Sequence, residues 1–283
     1  MGIFDMAIIG AGPAGLSAAI NAKIRNKSFI LFGLEEKSSK IEKAKKISNY
    51  PGLPDISGPE LNSAFLKQAE ALEIEITKKQ VSAVYKNGDI FMLSSGSEVY
   101  EAKAVILALG AKATRDLPGE REFSGRGVSY CATCDGNFYR GKEIAVICES
   151  QEHEDEVQFL ADLAKTLYYF PLFKSRLTGE NIILQDSKPA AISGDLKAEA
   201  LELENGKKIK TDGIFILKNV GADVLLSGLK MEKGSVAVDH GMSTNIEGCF
   251  ACGDCTGYPY QIAKAVGEGN TAAHGALRYL SGK

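Results

Sequence analysis

The sequence predicts an α/β chain of two domains, the second inserted into the first. Three observations carry that expectation: a strand, glycine turn and helix over residues 4–24, a second strand–helix–strand run that begins near residue 143, and a closing segment from residue 220 that ends in one long helix. At 283 residues the chain is long enough to fill two cores.

Composition narrows the function classes. An apolar fraction of 45%, 24% charged residues and a net charge of −3 describe an ordinary globular protein with no bulk attraction to nucleic acid. Cysteines stand at 131, 134, 148, 249, 252 and 255, too few and too clustered for a secreted disulfide scaffold, so they read as cytoplasmic thiols. The apolar run 6–20 is broken by glycines and a proline and has no basic segment before it, which argues against a signal sequence. No stretch approaches a membrane span of about 18 apolar residues.

In chain order, residues 4–9 run into Gly10-Ala11-Gly12-Pro13-Ala14-Gly15, and residues 16–24 continue with helical character before a second strand at 28–32. In such a G-x-G-x-x-G turn the first glycine permits the bend, the second lets backbone approach a pyrophosphate, and the third lets helix and strand pack closely. The acid that would bind a ribose at the end of the second strand is replaced by Gly33, with Glu35 and Glu36 just beyond. Residues 35–46 hold lysines at 37, 40, 43, 45 and 46, either a solvated run or a docking patch for an acidic partner. Ser57-Gly58-Pro59-Glu60 is a capping box, and Leu61, Ala64, Phe65, Gln68, Ala69 and Leu72 mark the apolar face of the helix it opens. Residues 81–85 and 90–93 flank an Asn87-Gly88 turn and read as a hairpin, and 104–109 as a buried strand that ends at Gly110.

Asp116-Leu117-Pro118-Gly119 reads as a linker. Beyond it lies Cys131-Ala132-Thr133-Cys134-Asp135-Gly136, a C-x-x-C pair that in a chain with a nucleotide-binding start reads first as redox. A strand at 143–148, a helix at 152–165 and a strand at 166–170 follow. Near the end, Gly253-Asp254 places a carboxylate at a strand end, and the helix after Gln261 carries small residues at Ala263, Gly267, Ala272, Ala273 and Ala276 that permit close approach to a flat ring.

The segments Gly10 to Gly15, Asn49-Tyr50-Pro51-Gly52, Ser57 to Leu61, Cys131 to Gly136 with the following Phe138-Tyr139-Arg140-Gly141-Lys142, and Gly253-Asp254 to Gln261 together resemble low-molecular-weight thioredoxin reductases. The resemblance implies a two-domain flavoprotein disulfide reductase. A Rossmann-like FAD-binding domain (1–115 and 220–283) would surround a shortened NAD(P)H-like βαβ domain (116–219) that carries the C-x-x-C. It further implies a cytoplasmic homodimer that acts on thioredoxin and holds FAD non-covalently. The residues it assigns to FAD are Gly10, Gly12, Pro13, Ala14, Gly15, Gly33, Glu35, Asn49, Val81, Ala108, Gly110, Gly253, Asp254, Tyr260, Gln261 and Ile262.

The central domain departs from the family. Where a second glycine-rich turn is expected, the chain reads Cys148-Glu149-Ser150-Gln151-Glu152-His153-Glu154-Asp155-Glu156, with no glycine and a crowd of carboxylates that would repel a pyrophosphate. The following strand leads to Pro171-Leu172-Phe173-Lys174-Ser175-Arg176 instead of an arginine-rich turn, and no second helix is legible before Asn181-Ile182-Ile183-Leu184. This combination resembles the ferredoxin-dependent flavin thioredoxin reductases, in which ferredoxin replaces NADPH. Plant-type ferredoxin and thioredoxin potentials differ by roughly 130 mV, about 6 kcal/mol downhill for two electrons.

By the same resemblance Cys134 faces the flavin, Cys131 attacks thioredoxin's disulfide, and Asp135 exchanges protons with the pair. Two other readings stay open at this level: an FAD-dependent dithiol oxidase that passes electrons to oxygen, and a non-catalytic FAD-bound redox sensor. Cys249, Cys252 and Cys255 allow core thiols, an auxiliary disulfide or thiol relay, or an iron–sulfur site that lacks a fourth cysteine nearby. His153, His240 and His274 show no metal-ligand spacing, and no metal is expected.

Overall fold

The computed structural model describes residues 2–33, 40–96, 98–111, 116–218 and 221–282. The chain divides into two compact units, one formed by Met1–Lys112 with Gly221–Lys283 and the other by Ala113–Val220.

In the first unit, strand Phe4–Ile9 lies between Phe29–Phe32 and Glu98–Leu107, parallel to both, with Ile8 opposite Leu31 on one side and Ile106 on the other. Ile76–Thr77 extends one edge, Ile90–Ser95 and Ala83–Asn87 the other, and Cys249–Ala251 adds to Glu98–Leu107. Met6, Ala7 and Ile8 are fully buried, as a near-continuous apolar strand covered on both faces should be. Helix Pro13–Ile24 packs on the closing helix Ile262–Ser281 through small side chains: Ala14, Ala18, Ala19 and Ala22 against Ala265, Ala272, Ala273 and Ala276. The approach is close enough that a Cβ on Gly269 would stand 2.1 Å from the Ala14 carbonyl oxygen. Ser17 Oγ seals the pair by donating to Val266 O at 2.7 Å.

Several expectations hold with shifted bounds. The Ser57 capping box is present in both directions, over helix Gly58–Ala71. The hairpin turns one residue later than its sequence signal: Asn87 pairs with Ile90, so Gly88 and Asp89 form the turn. Gly88 has φ +59, the geometry of a glycine-first two-residue turn. The buried strand is longer than 104–109 because Val99 and Tyr100 pair with Ser94 and Leu93 before the chain enters the core.

The second unit is a parallel sheet ordered Ile182–Leu184, Thr166–Pro171, Glu143–Cys148, Gly213–Leu217, Val128–Ser129. Side chains of the central strand alternate between two cores. Ile144, Val146 and Cys148 pack with Val157, Leu160 and Ala161 of helix Glu154–Leu163, whereas Ala145 and Ile147 pack with Ile192, Leu201, Leu203 and Ile209. These last residues belong to an antiparallel meander that the sequence motifs do not announce, Pro189–Gly194, Ala198–Leu203 and Lys208–Lys210. Its clearest sequence signal is Ala198-Glu199-Ala200-Leu201-Glu202-Leu203, where buried residues flank the two glutamates but Ala200 and Leu201 break a strict alternation. The helix is shorter than expected, because Gln151–His153 forms a 3₁₀ turn ahead of it. No helix occurs among residues 172–181, as the sequence implied.

One buried ion pair ties the two ends of this unit. Lys218 Nζ lies 2.5 Å from Glu120 and 3.2 Å from Asp116, both groups of the deeper pair being nearly sealed from solvent. Tyr130 donates to the same Glu120 oxygen at 2.9 Å, which anchors the residue next to Cys131.

Candidate active site

Cys131 and Cys134 form a disulfide in the second unit. The turn that carries them is short, Ala132–Asp135, and Ala132 holds it down as a fully buried member of the helix-side core. Gly136 closes it, since a Cβ there would meet Leu160, Leu163 and Phe159 of the packed helix at 3.1–3.2 Å. Cys131 Sγ accepts from the Cys134 N–H at 3.2 Å, a contact that favours a thiolate at this sulfur once the bond is opened. Its backbone is fixed by Ser129, whose hydroxyl accepts from the Cys131 N–H at 3.1 Å. Cys131 is buried and Cys134 half-buried. Asp135 directly follows, its charge helping to push the Tyr139 phenol up behind the larger effect of burial.

A second carboxyl lies under this turn, one that no sequence motif singles out. Burial pushes Glu156 from 4.5 up to about 7, against the opposing effect of a hydrogen bond from the Ala132 backbone. Buried His153, whose Nδ1 stands 4.0 Å from Glu156, is pushed the other way, below the usual imidazole range, by the same loss of solvent. Because the folded carboxyl binds its proton more tightly than the unfolded one, its stabilising contribution is full below pH 4.5 and is lost as pH rises through about 7. Over that window the loss approaches about 3 kcal/mol at about 1.4 kcal/mol per pH unit. Glu156→Gln, which keeps an acceptor for Ala132, is therefore expected to raise the urea midpoint at pH 8, where His153 is neutral folded and unfolded, and to leave it nearly unchanged at pH 4.5. An equal shift at both pH values would contradict this.

The first unit gathers the residues expected to hold a dinucleotide. Gly10 has φ +114 and sits so close to the neighbouring strand end that a Cβ would lie 2.2 Å from the Ala108 carbonyl oxygen. At Gly15 a Cβ would lie 1.7 Å from Gly10 O, the packing role read from the sequence. Gly12 is different. It caps helix Pro13–Ile24 with no side-chain hydrogen bond, nothing lies within 4 Å of its missing Cβ, and no acid stands in the first turn. Gly33 takes the place of the ribose-binding acid because a Cβ there would stand 2.5 Å from Ala11 Cβ and 2.8 Å from Ile76 Cγ2. Glu35 lies outside the described residues.

Distant segments of the chain meet in this unit. Asn49 Nδ2 donates to Gln261 Oε1 at 2.7 Å across 212 residues, and Gln261 and Ile262 open the closing helix with no acid in its first turn. Gly253, at φ +81, would place a Cβ 2.9 Å from Ala14 Cβ, so the Gly253-Asp254 turn sits beside the first glycine turn. Gly110 is also at positive φ, and Tyr260 is half-exposed in an edge-on pair with Tyr258. Val81 is buried and precedes the strand that begins at Ala83.

The remaining cysteines are thiols. Cys249 and Cys252 are fully buried, and Cys255 Sγ donates to the Leu107 and Cys252 carbonyls at 3.4 and 3.2 Å. Burial pushes Cys249 up to about 12 and Cys255 to about 11, so neither ionises near neutrality. Among the described residues no group of three or more His, Cys, Asp and Glu is placed to hold a metal, and no helix is long and apolar enough to cross a membrane.

The pyridine nucleotide-disulphide oxidoreductase family model matches residues 4–148 and 172–269. This chain belongs to that family. Its relatives include the thioredoxin reductases of Helicobacter pylori, 33% identical over 98% of this chain and 99% of that one, and of Bacillus subtilis, 31% identical over 98% and 95%. Two crystal structures of a ferredoxin-flavin thioredoxin reductase from Clostridium acetobutylicum are similar throughout. One is 46% identical, with a TM-score of 0.84 over 100% of this chain and 99% of the other; the second is 43% identical, with 0.92 over 99% of each. This member of the oxidoreductase family is a thioredoxin reductase homologue, and FAD is its cofactor.

The first unit fits that cofactor. The open side of Gly12 and the uncapped start of its helix leave backbone N–H groups for a pyrophosphate. When bound, FAD would supply two-electron redox chemistry, with the glycine turn and the Gly253-Asp254 turn as the groups that would hold it.

Proposed function

We propose that this oxidoreductase reduces thioredoxin with electrons from reduced ferredoxin and takes none from NADPH, working in the cytoplasm as a homodimer. The observation that carries the reading is the turn after strand Glu143–Cys148. In a nucleotide-binding βαβ unit this turn offers glycine backbone and a helix N-terminus to a pyrophosphate. Here it is a 3₁₀ turn leading into a helix whose first turn carries Glu154, Asp155 and Glu156. The carboxylates of Glu154 and Asp155 suit the helix dipole and repel a dianion from the same place, whereas Glu156 is turned into the core and raised to about 7 by burial. The segment that would grip a 2′-phosphate is also occupied: Ser175 donates to Glu154, and its Oγ accepts from Leu177 N at 3.0 Å. The family match stops at Cys148 and resumes at Leu172, passing over this turn, and the similarity to the two clostridial structures runs across it.

In this reading Cys134 receives the electrons, Cys131 leaves as the thiolate that attacks thioredoxin's disulfide, and Cys134 resolves the mixed disulfide. Asp135 exchanges protons with the pair. Gly10, Gly12, Pro13, Ala14, Gly15, Gly33, Asn49, Val81, Ala108, Gly110, Gly253, Asp254, Tyr260, Gln261 and Ile262 hold FAD. The test is anaerobic. Mixed with reduced ferredoxin, the flavin is expected to bleach and thioredoxin to be reduced, whereas NADPH and NADH leave the flavin oxidised. Rapid bleaching by NADPH with thioredoxin turnover would end this reading.

A further inference from the structure

The Gly253-Asp254 turn is held by a pair of charged residues that neither the motif nor the reaction above uses. Lys264 and Glu268 stand one helical turn apart near the start of helix Ile262–Ser281, and both are more than four-fifths buried. Lys264 Nζ donates to the Gly253 carbonyl at 3.0 Å, to Thr256 Oγ1 at 2.9 Å and to Glu268 Oε2 at 3.0 Å, which uses all three of its protons. That Glu268 oxygen also accepts from the Gly253 N–H at 2.9 Å and from the Thr256 hydroxyl at 2.8 Å. Both backbone groups of Gly253 are therefore gripped, its N–H by the carboxylate and its carbonyl by the ammonium.

We propose that Lys264 and Glu268 are positioning residues for FAD: they lock the Gly253–Thr256 turn so that Asp254 and the adjoining start of helix Pro13–Ile24 meet the cofactor in one fixed geometry. The turn needs such a clamp because Gly253 lies at φ +81 and glycine alone holds no conformation. Its position is also demanding, since the missing Cβ points within 2.9 Å of Ala14, in the first turn of the phosphate-facing helix. Small movements of this turn would shift Asp254 and Ala14 together. A neutral pair could not supply the same grip, because charge-assisted hydrogen bonds are roughly twice as strong as neutral ones. Burial raises the requirement for mutual pairing, as a lone buried charge is costly.

The inference rests on the assignment of Asp254 to FAD proposed above, and the experiment separates the two. The rate of FAD release from purified holoenzyme, followed by the rise in flavin fluorescence, would be measured for the wild type and for Lys264→Met, Lys264→Arg, Glu268→Gln and Asp254→Ala, beside far-ultraviolet circular dichroism and the visible flavin bands. Lys264→Met is expected to release FAD about tenfold faster or more and to blur the flavin band structure, whereas Lys264→Arg stays within about threefold of the wild type. Glu268→Gln, isosteric and neutral, is expected to release FAD faster by about threefold or more, and decides the matter if Lys264→Met fails to fold. Wild-type release and bands in both neutral variants would overturn the clamp. So would equal loss in Lys264→Arg and Lys264→Met, which would reduce Lys264 to a packing role. Asp254→Ala with unchanged release would overturn the site assignment instead, whatever the clamp variants do.

Discussion

Cys134→Ser is expected to retain its yellow FAD and lose thioredoxin reduction by at least about 10³-fold, the scale seen when one member of a concerted catalytic unit is removed. The disulfide spans two residues of one short turn, so no other described cysteine can take the missing sulfur's place without refolding the turn that Ala132 and Gly136 pin to the helix Glu154–Leu163. Cys131 remains in the variant with the Cys134 N–H directed at its sulfur. It should therefore still attack a thioredoxin activated as a mixed disulfide with a good thiol leaving group. The new protein–protein disulfide forms as the leaving thiolate departs, and without Cys134 it persists. Steady-state turnover and intact-mass analysis read the two effects separately. Substantial turnover in Cys134→Ser would remove the disulfide from the electron path, and capture of thioredoxin at Cys134 in Cys131→Ser would reverse the assigned roles.

The glycine turn gives the second large effect, because two of its glycines serve for different reasons. Gly15→Ala drives a Cβ to within 1.7 Å of the Gly10 carbonyl oxygen, a clash that only backbone movement between strand Phe4–Ile9 and helix Pro13–Ile24 can relieve. Loss of stability of about 3 kcal/mol or more is expected, with FAD lost as a consequence. Gly12→Ala meets no protein atom, so the fold should persist with a melting temperature close to that of the wild type. Its Cβ would instead occupy the open approach to the helix start, and FAD retention on gel filtration should fall about tenfold or more. If both variants behave alike, Gly12 is another packing glycine and the pyrophosphate does not approach on that side.

Much of the reaction is legible in the linear sequence because its parts are local. A disulfide turn needs two cysteines three positions apart, a phosphate turn needs its glycines at fixed offsets, and Ser57 and Glu60 cap each other within one helical turn. The loss of the second glycine turn is local too, which is why the departure from an NADPH-binding pattern is visible in the residues 148–156 themselves. The antiparallel meander at Pro189–Gly194, Ala198–Leu203 and Lys208–Lys210 is far less legible, since its strands are short, the first carries no charged residue to mark a face, and the second places buried Ala200 and Leu201 side by side.

By itself the sequence determined which chemical groups are present and the order of the elements that carry them: a dithiol with an adjoining acid, one nucleotide turn kept and one lost, and an α/β chain with an inserted segment. Tertiary structure alone decided which of these groups meet. Asn49 reaches Gln261, Gly253 presses on Ala14, and Lys264 with Glu268 grips the turn between them, through contacts that no spacing rule encodes. It also decided that the Glu156 carboxyl is pushed up to about 7, because burial beneath the dithiol turn raises the cost of charge that the same glutamate would not meet in water. The physical reason is common to all of them: close packing and desolvation act between residues brought together by the whole fold, whereas motifs act between neighbours along the chain.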